Sequence, residues 1–163
     1  GFGSSGQPCA VVEQYDLALG KWEALPSMSV PRVAAAATTL MGQVFVCGGF
    51  DGTQHLNTAE RFDAFSNRWV ALPAMAAKRS SAAAITLHKK LYICGGEDGT
   101  RHQSSCERFA AEAEKWERVT PLSTRRSGMA AAVLDGEVVV CGGRNASKLF
   151  QTVECFDPSA GAW

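Results

Sequence analysis

An all-β fold built from repeated antiparallel units is what this 163-residue sequence predicts. Three observations carry the prediction. The phrase VFVCGGFDGT, beginning at Val44, returns as LYICGGEDGT at Leu91 and as VVVCGGRNAS at Val138, a fixed step of 47 residues. Residues outside that phrase keep the same step: Trp22, Trp69, Trp116 and Trp163; Glu13, Glu60, Glu107 and Glu154; Tyr15, Phe62, Phe109 and Phe156; Arg32, Arg79 and Arg126. Within each unit, short β-favouring stretches alternate with polar turns at roughly ten-residue spacing, which is the pattern of antiparallel sheet.

Taken in order, residues 1–25 read as the last two strands of a unit, followed by successive units at 32–72, 79–119 and 126–163. Each unit opens on arginine and small residues, as in RVAAAATTL, RSSAAAITL and RRSGMAAAVL. Alanine runs favour helix on propensity alone. The period overrules that preference, and small side chains suit a strand crowded near a central axis. A short turn leads to the second strand, the apolar run that ends at a double glycine. Beyond a polar loop come a third strand, such as NTAERFD at 57–63, and a fourth that opens at tryptophan, such as RWVAL at 68–72. The glycine pair ends the second strand where a side chain would collide.

Bulk properties narrow the function classes. Sixteen basic and sixteen acidic residues give a net charge of zero, so the chain as a whole carries no footprint for nucleic acid or an anionic membrane. The apolar run at 33–47 is interrupted by Thr38, Thr39, Gly42 and Gln43 and is too short for a span of about 20 residues. The opening GFGSSGQPCA lacks the regions of a signal peptide, so a cytoplasmic protein is expected. Of the six cysteines, Cys47, Cys94 and Cys141 share one place in the repeat and are expected buried, reduced and unpaired. Cys9, Cys106 and Cys155 stand at differing offsets, and nothing in the sequence pairs them.

Catalytic and cofactor readings find no support. GFGSSG matches a dinucleotide-binding pattern in letters, but no strand precedes it and no helix follows. His55, His88 and His102 lack metal-ligand spacing, so neither a metal nor another cofactor is expected. The recurring glutamates suggest paired-carboxylate chemistry. Each unit with Glu60, Glu107 or Glu154 also supplies Arg32, Arg79 or Arg126, and a structural charge-assisted pair is the better reading. Asn145-Ala146-Ser147 is a glycosylation sequon by pattern, one that an intracellular protein leaves unused.

Four apolar residues before a double glycine, then an aromatic, then a tryptophan at fixed offsets resemble the kelch repeat. The DGT, ERF and PR phrases are similar to those of the BTB-kelch proteins. The resemblance covers nearly the whole chain. It implies a kelch-type β-propeller fragment in which each unit is one four-stranded antiparallel blade. Propellers of about six blades are usual for that family, so residues 1–163 are expected to be part of a larger propeller whose terminal blades expose apolar faces. The kelch-like copper oxidases need a tyrosine–cysteine cross-link and histidine ligands. Tyr15 and Tyr92 occupy structural places in the repeat, so that reading fails.

A residue repeated in every blade serves the blade, whereas a recognition surface needs groups that differ around the axis. The tryptophans are accordingly expected to be core anchors. By resemblance, the partner face is built from the loop joining the second and third strands and from the loop leading into the innermost strand. Carried onto this chain, those loops place Phe50, Glu97 and Arg144 just after the glycines. His55, His102 and Leu149 follow five residues later, and Val33, Ser80 and Ser127 stand beside the repeated arginines. These nine differ in charge and shape within a constant frame. Arg32, Arg79 and Arg126 lie at the rim and either pair with the glutamates or reach the partner.

The resulting expectation is a non-enzymatic interaction module that binds a protein or peptide on the propeller face, without nucleic acid or membrane. Resemblance further implies a substrate adaptor of a cullin-RING ubiquitin ligase. The cullin contact would come from a BTB domain outside this sequence. The alternative is a structural kelch scaffold held within a larger assembly.

Overall fold

The computed structural model describes residues 1–163 and contains thirteen strands and no helix. Strands β1 (Val12–Asp16) and β2 (Lys21–Leu25) form a two-stranded sheet. Strands β3 (Ala36–Leu40), β4 (Gln43–Cys47), β5 (Ala59–Asp63) and β6 (Arg68–Leu72) form a four-stranded antiparallel blade. Strands β7 (Ala83–Leu87), β8 (Lys90–Cys94), β9 (Cys106–Ala110) and β10 (Lys115–Val119) repeat it. Strands β11 (Ala130–Leu134), β12 (Glu137–Cys141) and β13 (Val153–Phe156) make a three-stranded sheet, followed by an isolated bridge between Asp157 and Ala162.

First strands face one another: β3 packs on β7, and β7 on β11. Thr38 and Thr86 share a hydroxyl hydrogen bond of 3.3 Å across that contact, and Thr86 Oγ1 also donates to the Thr39 carbonyl at 2.6 Å. The alanine-rich stretches are therefore the innermost strands, where only short side chains let neighbouring blades approach.

Apolar packing lies between blades. One cluster joins Leu40, Phe45 and Met75 of the first full blade to Leu91, Ile93 and Phe109 of the second. The other joins Leu87, Tyr92 and Leu122 to Val138, Val140 and Phe156 of the third. Equivalent leucines show what a neighbour contributes: Leu40 is 2% exposed and Leu87 7%, but Leu134, with no following blade against it, is 62% exposed. Burying one such side chain is worth about 1.5–3 kcal/mol.

Local geometry explains the repeated phrase. Between β3 and β4, Met41 and Gly42 both have positive φ, and His88-Lys89 and Asp135-Gly136 repeat this, giving two-residue hairpin turns whose twist matches the strands. Gly49 donates its N–H to the Arg79 carbonyl of the next blade at 2.7 Å, and a Cβ there would lie 2.8 Å from the Val33 carbonyl. At Gly48 a Cβ would run into the Arg79 carbonyl itself. The expected collision is thus real, and its partner is the backbone at the blade seam.

Several expectations need correction. The first strand begins at Ala36, Ala83 and Ala130 and not at the arginine, because Ala34, Ser81 and Gly128 take left-handed φ values of 52°, 51° and 65° and turn the chain first. Cys47 and Cys94 are buried, but Cys141 is exposed for the same reason as Leu134. Cys106 stands directly opposite Cys94 in the β8–β9 ladder. The tryptophans anchor the core only in part: Trp116 and Trp163 pack against the apolar clusters from their edge, and none is fully buried. Trp22 is 67% exposed and the others are half-buried, each packed at a tilt against its cross-strand aromatic partner, with Phe62–Trp69 centroids 5.4 Å apart. Their indole N–H groups reach the preceding sheet: Trp69 donates to the Pro26 carbonyl, Trp116 to Pro73 and Trp163 to Thr120, each at 2.8 Å. They clamp one sheet to the next.

Candidate interaction face

Beneath the face lies a buried ionic frame. Arg32 is 1% exposed, donates from Nη2 to Glu60 Oε1 at 2.9 Å, and caps the Gly48 carbonyl at 2.8 Å. Its Nη2 also donates to Thr58 Oγ1 at 2.8 Å. Arg79 repeats the set with Glu107, Gly95 and Ser105, and Arg126 with Glu154, Gly142 and Thr152. The second glutamate oxygen accepts a backbone N–H from the incoming loop, at Ser29, Ala76 and Ser123. Burial opposes ionisation of Glu60, but the hydrogen bonds from Ser29 and Arg32 outweigh it and hold the carboxyl below its ordinary 4.5. The predicted structural pairs are therefore present. Arg32, Arg79 and Arg126 accordingly have no exposed surface to offer a partner, which corrects their place among the binding residues.

The other nine predicted residues come together. Val33 bridges Phe50, and Phe50 bridges His55; Ser80, Glu97 and His102 repeat this, as do Ser127, Arg144 and Leu149. Each triplet continues its blade's ladder past the double glycine, with Val33 and Phe50 exchanging both backbone hydrogen bonds at 2.9 Å. Adjacent triplets are tied side to side. His55 Nδ1 and Ser80 Oγ share a 2.9 Å hydrogen bond, and His102 Nδ1 and Ser127 Oγ one of 3.0 Å. Backbone bonds of 2.8 Å from Ser81 to Ala34 and from Gly128 to Ser81 run parallel to them.

Accessibility divides the nine. Val33, Ser80 and Ser127 are buried, and the serine hydroxyls are committed to the histidines. Phe50, His55, Glu97 and His102 are half-buried, while Arg144 and Leu149 are exposed. Phe50 and His55 rings lie 5.1 Å apart, and Glu97 reaches His102 at 4.0 Å. From blade to blade the face thus runs from aromatic through an acid–imidazole pair to a cation beside a leucine.

Loop tips hold this face in shape. Asp51 Oδ1 accepts from the Thr53 hydroxyl and from the backbone N–H groups of Thr53 and Gln54, which lowers its pKa to about 2. Asp98 makes the same turn with Thr100 and Arg101, and Asn145 with Ser147 and Lys148. The sequon asparagine is therefore a turn former. The hydroxyls of Thr58, Ser105 and Thr152, which also keep the 47-residue step, were identifiable from the sequence but were not singled out.

Antiparallel blades around an axis, with varying loop triplets on a constant ionic frame, define a β-propeller interaction module. The kelch motif matches residues 31–76, 78–123 and 125–163, and the chain belongs to the kelch-repeat family. It is similar to Kelch-like protein 8 of Caenorhabditis elegans, with 37% identity over 59 residues. The match covers 36% of this chain and 9% of that protein, so the likeness spans a small part of the relative. No helix is long and apolar enough to cross a membrane.

Proposed function

We propose that the bridged triplets form a protein-recognition face, and that the chain acts by binding a protein or peptide there without chemistry of its own. One observation carries the reading. The arginine–glutamate frame recurs in all three kelch units, while Phe50/His55, Glu97/His102 and Arg144/Leu149 differ in charge and shape at equivalent bridge positions. Residues under one architectural constraint would converge on one type, as the arginines and glutamates have.

The finer reading is substrate recognition for a cullin-RING ubiquitin ligase in the cytoplasm, through a BTB domain elsewhere in the protein. It is supported by the DGT, ERF and PR phrases and by the similarity to a kelch-like protein. The alternative reading is a structural kelch scaffold held within a larger assembly. Affinity capture from cell extract tests both. Partners that Phe50→Ala and Arg144→Ala both release, recovered together with a cullin when the full-length protein is the bait, fit the adaptor. Partners indifferent to both substitutions overturn the face assignment.

A further inference from the structure

On the second kelch unit, between the loop that enters it and the start of the third, lies a groove of about 570 Å³ whose side chains include Lys78, Arg101, Arg118 and Arg125. Its only carboxylate is Asp98. That carboxylate is already engaged by the Thr100 hydroxyl at 2.6 Å and faces Arg101 at 3.6 Å. Lys78 donates to Gln54 Oε1. Arg118 and Arg125 are exposed and take part in none of the molecule's ion pairs or side-chain hydrogen bonds. Two unpaired guanidiniums and two weakly engaged cations in one concavity are an uncompensated positive site in a chain whose net charge is zero.

The repeat shows that this charge is not architectural. One step of 47 residues earlier, the same four places hold Pro31, Gln54, Ala71 and Lys78, a single cation where this seam has four. By the criterion that separates frame from face, the seam is a departure from the repeat. It is also contiguous with the face, because a second cavity of about 460 Å³ shares Arg101, His102 and Arg125 and reaches Glu97 and Asn145. On its other side the groove continues into a recess that Arg118 lines together with Arg79 and Glu107, whose charges are paired with each other.

We infer that this seam binds an acidic peptide segment, with Arg118 and Arg125 as its principal carboxylate contacts and Arg101 and Lys78 as flanking ones. The inference rests on the reading that the propeller face takes a protein, and it names the chemistry of that partner. Guanidinium forks suit paired carboxylate oxygens. A nucleic acid would need stacking surfaces, and the groove offers no aromatic ring other than that of His102. Groove polarity, with only Ala76 and Ala77 as apolar lining, also sets it apart from an apolar docking site.

The test is fluorescence anisotropy with the whole 163-residue chain and a labelled octapeptide of alternating Glu and Gly, in a salt series. Binding should weaken with salt. It should fall roughly tenfold in Arg118→Ala/Arg125→Ala, as loss of two exposed charge contacts allows, and stay unchanged in the control Lys90→Ala/Lys115→Ala. Equal loss in both double variants, or no binding at low salt, overturns the inference. Binding of a phosphoserine peptide or an oligothymidylate but not of the glutamate peptide overturns the assignment to acidic peptide. Because Phe50 and His55 lie one blade away, the released partners of the capture experiment report on the face separately. Capture that fails while the glutamate peptide binds normally sinks the face and leaves the seam.

Discussion

Arg79 and Arg126 look interchangeable in the sequence, yet their surroundings predict different consequences. Removing a buried arginine leaves its glutamate charged and unpaired, at a cost of about 3–5 kcal/mol. Arg79→Ala should show that full loss in urea denaturation, because the Glu107 side chain is only 3% exposed. Arg126→Ala should lose less, since Glu154 is 10% exposed and water reaches it. Equal losses would mean that partner burial does not set the cost. The pH dependence has a definite sign. The folded-state pKa of Glu60 lies below the ordinary 4.5, so its contribution is present above that value and is lost as pH falls through the folded pKa. The denaturation midpoint should therefore fall on acidification below pH 4.5, and less steeply in Glu60→Gln, relative to that variant's own neutral value. Thiol reactivity follows burial. Cys47, its pKa pushed up to about 12 by burial, and Cys94, raised by its hydrogen bond with Cys106 and by burial, should react with a disulfide reagent only on unfolding. Cys141 and Cys155 should react at once, and a buried thiol titrating alongside them would contradict the packing.

At the level of elements, the tryptophan clamp gives the most direct prediction. Trp116→Phe keeps the tilted packing on Phe109, whose centroid is 5.1 Å away, but removes the bond to the Pro73 carbonyl. A loss of about 1 kcal/mol is expected. Trp22→Phe, at an exposed indole that makes no hydrogen bond in this chain, should change its stability by a few tenths at most. Matching losses would show that the aromatic packing and not the clamp carries the energy. Strand order and turns were legible because each depends on a local signal, such as alternation, a turn dipeptide or a glycine pair. The fourth strand at Arg68–Leu72 was read to the residue. Depth was not legible. Whether Arg32 stands at a rim or inside, and whether Trp69 fills a core or clamps a neighbour, depends on how sheets stack, which no single unit encodes. The basic seam escaped for a related reason. Its cations come from the loop before β7, the loop after β8, strand β10 and the loop before β11, and they meet only in space.

On the scale of the whole molecule, the chain divides into a frame that repeats and a surface that does not. The frame accounts for the fold: buried ion pairs, glycine seams and indole clamps recur blade by blade, and each needs a neighbour to be complete. The surface carries recognition, through triplets that differ at equivalent bridges and a seam that gains charge where the repeat has little. Paired measurement of thermal stability and partner binding across both sets tests this division most directly. Arg79→Ala and Glu107→Ala should lower the melting temperature, with binding lost only as the fold is lost. Phe50→Ala, Arg144→Ala and Leu149→Ala should weaken binding at an unchanged melting temperature. If those three face variants bind the partner as tightly as the unaltered chain, the division between frame and surface is contradicted.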